Sequence, residues 1–139
     1  MTTYQAGPAE VPGGDRTFGV KANTDITKYA AVIQSSGQDH EVDMPGAAGV
    51  AAWGFAQEAV DYSEGQHHVV VRTMGYSFAL AYDGDIAAGE LLQVGDTAGR
   101  VDTAAAGDHV IAKSCQASTA QDDLIVVQVL CGGYQIPAG

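Results

Sequence analysis

Gly84, Gly89, Gly95 and Gly99 interrupt residues 83–102 every few positions. Between them lie only short apolar pieces: Ile86, Leu91 and Leu92 with Val94, and Val101. Glycine reaches positive φ without steric cost. The spacing therefore predicts brief strands reversed by tight turns, and it leaves no room for a helix. The flanking segments carry the strongest strand signals in the chain. Residues 76–82 alternate, with Tyr76, Phe78, Leu80 and Tyr82 on one side and Ser77, Ala79 and Ala81 on the other. In residues 124–130 and just beyond, Ile125, Val127, Val129 and Cys131 form one apolar face, while Gln128 interrupts the other. A period of two is the mark of a strand in a packed sheet. The small face of residues 76–82 would let a second layer or a neighbouring chain approach closely.

Further strands are expected at residues 18–22, 29–34, 40–44, 66–73, where Val69, Val70 and Val71 are β-branched, and 110–117. The apolar run 49–60 is rich in alanine, but Trp53, Gly54 and Phe55 favour a strand there as well. Turns are expected at residues 23–27, 35–37, 45–46 and 63–65, and one helical turn at 104–107. About eight to ten short strands at this spacing predict an all-β fold, a small single-domain barrel or sandwich. At 139 residues the chain is long enough for one domain with a sizeable core.

Residues 1–17 are different. Gly7, Pro8, Pro12, Gly13 and Gly14 oppose both helix and strand. Tyr4, Val11 and, at its end, Phe18 are the large apolar groups, spaced as anchors along an extended chain. This reads as an extended or flexible N-terminal arm, followed by a β domain over residues 18–139. At roughly 3.3 Å per residue the arm could reach about 50 Å. It has no means of ordering itself and needs a partner that supplies backbone hydrogen bonds and pockets.

Charge narrows the function classes. There are 17 acidic residues against 6 basic, a net charge of -11. Such a chain is repelled by phosphate backbones and anionic membranes, so neither nucleic acid nor membrane is an expected partner. No apolar run is long enough for a transmembrane helix, and no secretory signal is expected, since the first residues show no basic region followed by an apolar core. Only 17% of residues are charged, which is low for a free-standing enzyme surface and leaves area suited to protein contacts.

No catalytic constellation stands out. His67 and His68 are neighbours and point to opposite faces of a strand; His40 and His109 are isolated in sequence. Asp83, Asp85 and Asp96 are calcium-ligand types without the spacing of a calcium loop. Cys115 and Cys131 read as buried reduced thiols in or beside strands, near enough on adjacent strands to allow pairing. Glu58 and Glu64 have no evident acid-base partner. Neither a serine elbow nor a phosphate loop is present. No metal, cofactor or catalytic residue is therefore expected.

The order of features resembles the bacteriophage capsid cement, or head decoration, proteins. The resemblance runs through residues 25–32, 54–60, 85–92, 99–101, 111–118 and 123–130, covering most of the chain after about residue 18. It implies a compact, non-enzymatic β domain, often a homotrimer. It further implies binding to the major capsid protein of a tailed phage on the outer surface of the virion, bridging subunits and stabilising the shell. The candidate capsid or trimer contacts are Tyr4, Val11, Phe18, Trp53, Ser77, Ala79 and Ala81. A second likeness, at Met74-Gly75-Tyr76-Ser77 with Ile86 and Gly89, is to the first motif of trimeric dUTP pyrophosphatases, which would make the chain a small nucleotide hydrolase. Ser77 stands where that family carries an aspartate, and its Tyr-Arg-Gly motif is missing. A phage tail or adhesin domain is the third alternative.

Overall fold

The computed structural model describes residues 14–138. Tyr4 and Val11 lie outside the described residues. The fold is all-β, built from two five-stranded units. The first is a closed barrel of β1 (Asp15–Val20), β2 (Ala31–Gln34), β3 (Glu41–Asp43), β4 (Gly54–Ala56) and β5 (His68–Arg72), in the order β1-β3-β2-β4-β5. Antiparallel pairing of β1 with β5 closes it, from Asp15 opposite Arg72 to Gly19 opposite His68. β1 therefore starts three residues earlier than the sequence led us to expect. The partner strand's Val69-Val70-Val71 run sets its length.

The second unit is a sheet of β6 (Tyr76–Leu80), β7 (Leu91–Val94), β8 (Val101–Thr103), β9 (Ala112–Ser114) and β10 (Leu124–Val129), in the order β6-β10-β9-β7-β8. Its two outer strands meet where Ala81 bridges Val101 in parallel, and the Tyr82 N–H donates to the Val101 carbonyl at 2.8 Å. The sheet is thus curled almost onto itself. The expected helical turn at residues 104–107 is a tight turn instead. The Ala104 N–H donates to the Leu91 carbonyl, the Ala105 N–H to the Gln93 side chain, and Gly107 takes a φ of 87°.

Two cores result. One fills the barrel with Val20, Ile26, Val32, Val42, Ala56, Val60, Val69 and Val71. The other lies between the units and contains Ala31 and Phe55 from the barrel wall with Ala79, Leu92, Ile125 and Val127 from the sheet. Adjacent residues on β2 and β4 point to opposite faces, so Ala31 and Phe55 serve one core while Val32 and Ala56 serve the other. A strand buried on both faces reads as a continuous apolar run, as at Gly54–Ala56; the expected strand over residues 49–60 is reduced to these three, and Ala51, Glu58 and Ala59 are exposed. Gly54 is required there because a Cβ would fall on the Arg72 carbonyl of β5.

The glycine-punctuated stretch joins the units. Gly99 has a φ of 78°, and its carbonyl accepts from the Ala31 N–H at 2.9 Å. Any side chain at Gly99 would meet the Ala30 Cβ. Asp96 accepts from the Ala98 N–H, and Arg100 donates to Asp96 and to Asp122, both at 2.7 Å. The turn is thereby pinned to the loop before β10.

Candidate interaction face

β6 alternates as its sequence implies, and its small face is the one covered by a second layer. Ser77, Ala79 and Ala81 are buried, so they cannot serve as capsid or trimer contacts. Ser77 faces the barrel and accepts from the Gln57 side-chain amide at 3.0 Å, while its hydroxyl donates to the Phe78 carbonyl. The small residues are inside because the two units approach closely there; Ala31, Ala52 and Ala112 belong to the same core. The large residues are left on the surface. Tyr76 is 61% exposed and Phe78 44%, with Leu80 half-buried and Tyr82 exposed further along.

β10 extends this strip. Leu124 stands opposite Leu80, Val126 opposite Phe78 and Gln128 opposite Tyr76. Directly opposed side chains on one face lie about 4.5–5.5 Å apart at Cβ, so the strip is continuous across the two strands. Leu124 is 47% exposed and Val126 half-buried. Isolated exposed apolar residues are ordinary, but a contiguous patch marks an interaction surface. On β9, Lys113 stands opposite Gln128 and gives the patch a polar margin.

The strip is also held firmly. Tyr29 packs its ring 5.4 Å from that of Phe78, with Lys28 Nζ 5.0 Å from the Tyr29 ring centroid. Tyr29 has a φ of 68°, unusual for a bulky residue. Its N–H donates to the Ala56 carbonyl at 2.7 Å, which holds that conformation. At the other end Arg72 clasps Asp15 through two hydrogen bonds, at 2.7 and 3.0 Å, and donates to the Tyr76 carbonyl at 3.1 Å. The pairing with Asp15 raises the Arg72 pKa further above its usual value.

The other candidates are dispersed. Phe18 and Trp53 pair with each other, ring centroids 4.8 Å apart, and are half-buried against the barrel core. His67 stacks on Tyr62, and His109 meets the Gly49 carbonyl. Asp96 is engaged by Arg100, and Asp83 accepts from the Asp85 N–H. Glu58 accepts from the Val70 N–H, and Glu64 sits exposed in a one-turn 3-10 helix, Tyr62–Glu64. Among the described residues, no three His, Cys, Asp or Glu side chains gather as a metal site. Cys115 is exposed rather than buried, because it follows β9 on the outer face, and the two cysteines are free thiols. Cys131 is half-buried, and loss of solvent pushes its thiol up to about 12.

Sequence reasoning named the Tyr76, Phe78, Leu80 and Tyr82 face but not its exposure, and it missed Tyr29, Leu124 and Val126 as members. The available signal was β10 itself, whose second face carries Leu124, Val126 and Leu130 although its first face already supplies a core.

No protein-family profile matches the chain, and neither does any curated protein. Its fold is similar to that of the head fiber gp8.5 N base of bacteriophage phi29. That likeness spans 87% of this chain and 98% of the other, with a TM-score of 0.64 and 16% sequence identity. At that identity it is a likeness of fold.

Proposed function

We propose that this chain is a structural protein of a phage head, a decoration protein that docks on the outer surface of the shell and bridges major capsid subunits without catalysis. The observation that carries this reading is the contiguous apolar strip of Tyr76, Phe78, Leu80, Leu124 and Val126 across two paired strands. Aromatic side chains held rigid before contact bind with little further loss of rotamer freedom. The fold shared with a phage head fiber base supports the same setting. The order of sequence features shared with head decoration proteins supports it independently.

In this reading the strip meets the shell or an adjacent copy, and three copies assemble on the shell as a homotrimer. The net charge of -11 sets the polarity of the partner: its docking surface is neutral or basic. The test is co-sedimentation of the purified chain with empty expanded heads of the phage that encodes it, alongside its isolated tails. Saturable binding to heads, absent with tails, is expected. Binding to tails alone would move the chain to a tail or adhesin assembly.

A further inference from the structure

The strip carries charge of one sign at its margins. β6, β9 and β10 contain no acidic residue and a single basic one, Lys113. A cross-strand row runs Tyr76, Gln128, Lys113 and Leu91 over β6, β10, β9 and β7. Leu91, beyond Lys113, is 38% exposed. The neighbouring row holds Phe78 and Val126, and the Cys115 N–H donates to the Val126 carbonyl at 2.8 Å. An exposed thiol therefore stands beside the strip. At the opposite margin, Lys28 lies over the ring of Tyr29, which packs on Phe78. Both lysines are exposed. Among the described residues neither enters a salt bridge, whereas Lys21, Arg72 and Arg100 do.

The chain as a whole has the opposite sign, with 17 acidic residues against 6 basic. The strip is thus a basic-edged apolar patch on an acidic molecule. A basic partner surface would set like charge against both lysines, which disfavours that contact. The acidic surface of another copy supplies the complementary charge. Because β6, β9 and β10 carry no carboxylate, the groups that meet the lysines come from a different face of the neighbour. Such a contact is head-to-tail, and head-to-tail contacts that close form rings. A ring is the geometry that three copies need.

We propose that the strip is covered by a second copy of this chain in a head-to-tail contact, with Lys28 and Lys113 set against carboxylates of the neighbour. This rests on the reading of the strip as an interface, and it assigns that interface to an adjacent copy. The contribution of the strip to head binding is then the joint hold of linked copies on the shell.

The test mixes isotope-labelled and unlabelled chains and joins amines to carboxylates with a zero-length carbodiimide. It is run on free protein over a range of concentrations and on protein bound to empty heads. Mass spectrometry should find links from Lys28 or Lys113 to a carboxylate of a differently labelled copy. Alkylation of Cys115, followed on its own peptide, should slow under the same conditions. Lys28→Glu with Lys113→Glu, checked by thermal melt, should raise that alkylation rate by roughly tenfold or more, since protection reports the covered fraction. Lys28→Arg with Lys113→Arg should keep the protection. Links from these lysines to the shell protein alone would overturn the proposal and leave the decoration reading standing. Links between copies in a chain that does not bind heads would sustain the proposal and remove the decoration reading. Absence of links between copies in both settings, with the charge-reversed variant alkylated no faster, would also overturn it.

Discussion

The rings of Tyr29 and Phe78 pack 5.4 Å apart at 58°, one from the barrel and one from the second sheet. Phe78 therefore has two roles: the residue is 44% exposed on the apolar strip, and its ring packs against Tyr29 of the other unit. Phe78→Ala should remain folded and lose about 0.5–1.5 kcal/mol for the aromatic pair, plus the transfer of its buried carbons. Chemical denaturation measures this loss. Tyr29→Ala in the Phe78→Ala background should cost less than Tyr29→Ala alone. Additive losses would mean that the pair is not coupled.

Arg100 bridges Asp96 and Asp122 across the glycine-punctuated turn. The hydrogen bond from Arg100 holds the Asp122 carboxyl below its ordinary value of 3.8. A depressed folded-state pKa gives stability that is present above 3.8 and lost as pH falls through the lower folded value. Asp122→Asn should thus lower the Tm at pH 6 and converge with the unmodified protein as the pH falls below the folded-state value, itself under 3.8. Asp102 has the opposite sign. Burial raises its pKa, so its contribution is full below 3.8 and declines as pH rises through the folded value. A difference between Asp122→Asn and the unmodified protein that does not shrink at all as the pH falls from 6 to well below 3.8 would rule out the Arg100–Asp122 contact as its source.

Much of this was legible in the chain. The glycines of residues 83–102 require turns wherever the strands go, and Val69-Val70-Val71 needs a sheet. The inward face of β6 was not legible. Large residues usually mark the core side, but here the barrel approaches so closely that only Ser77, Ala79 and Ala81 fit between the layers. Side-chain size in residues 76–82 cannot reveal a neighbour that arrives from β4. The Arg100 clamp was hidden for a similar reason, since Asp122 is 22 residues away and is brought near only by the β10 pairing. The strip itself depends on which strand pairs with β6, and that is a tertiary fact.

Gly99→Ala tests the join between the units. With a φ of 78° and Ala30 directly in the way, the added methyl must displace the Ala31 hydrogen bond. A loss of about 3 kcal/mol or more is expected from strain and overpacking together. Urea denaturation measures it. A loss under about 1 kcal/mol would show that this contact yields easily.

The cysteines should separate cleanly. Cys131→Ser places a hydroxyl where the thiol meets the Ile111 carbonyl in a largely apolar setting and should cost about 1–3 kcal/mol. Cys115→Ser alters an exposed position and should stay within about 0.5 kcal/mol. Equal losses for the two would contradict their different burial.

The most direct test of the central claim is head binding by a strip variant. Tyr76→Asp combined with Leu124→Asp alters the two most exposed strip residues on β6 and β10. Neither side chain belongs to a core cluster, so the melting curve should change little. Titration onto empty expanded heads, read by co-sedimentation, should show affinity reduced by roughly 30-fold or more, the effect of losing an anchoring contact of about 2 kcal/mol. Undiminished head binding by the folded double variant would show that the strip is not the docking face.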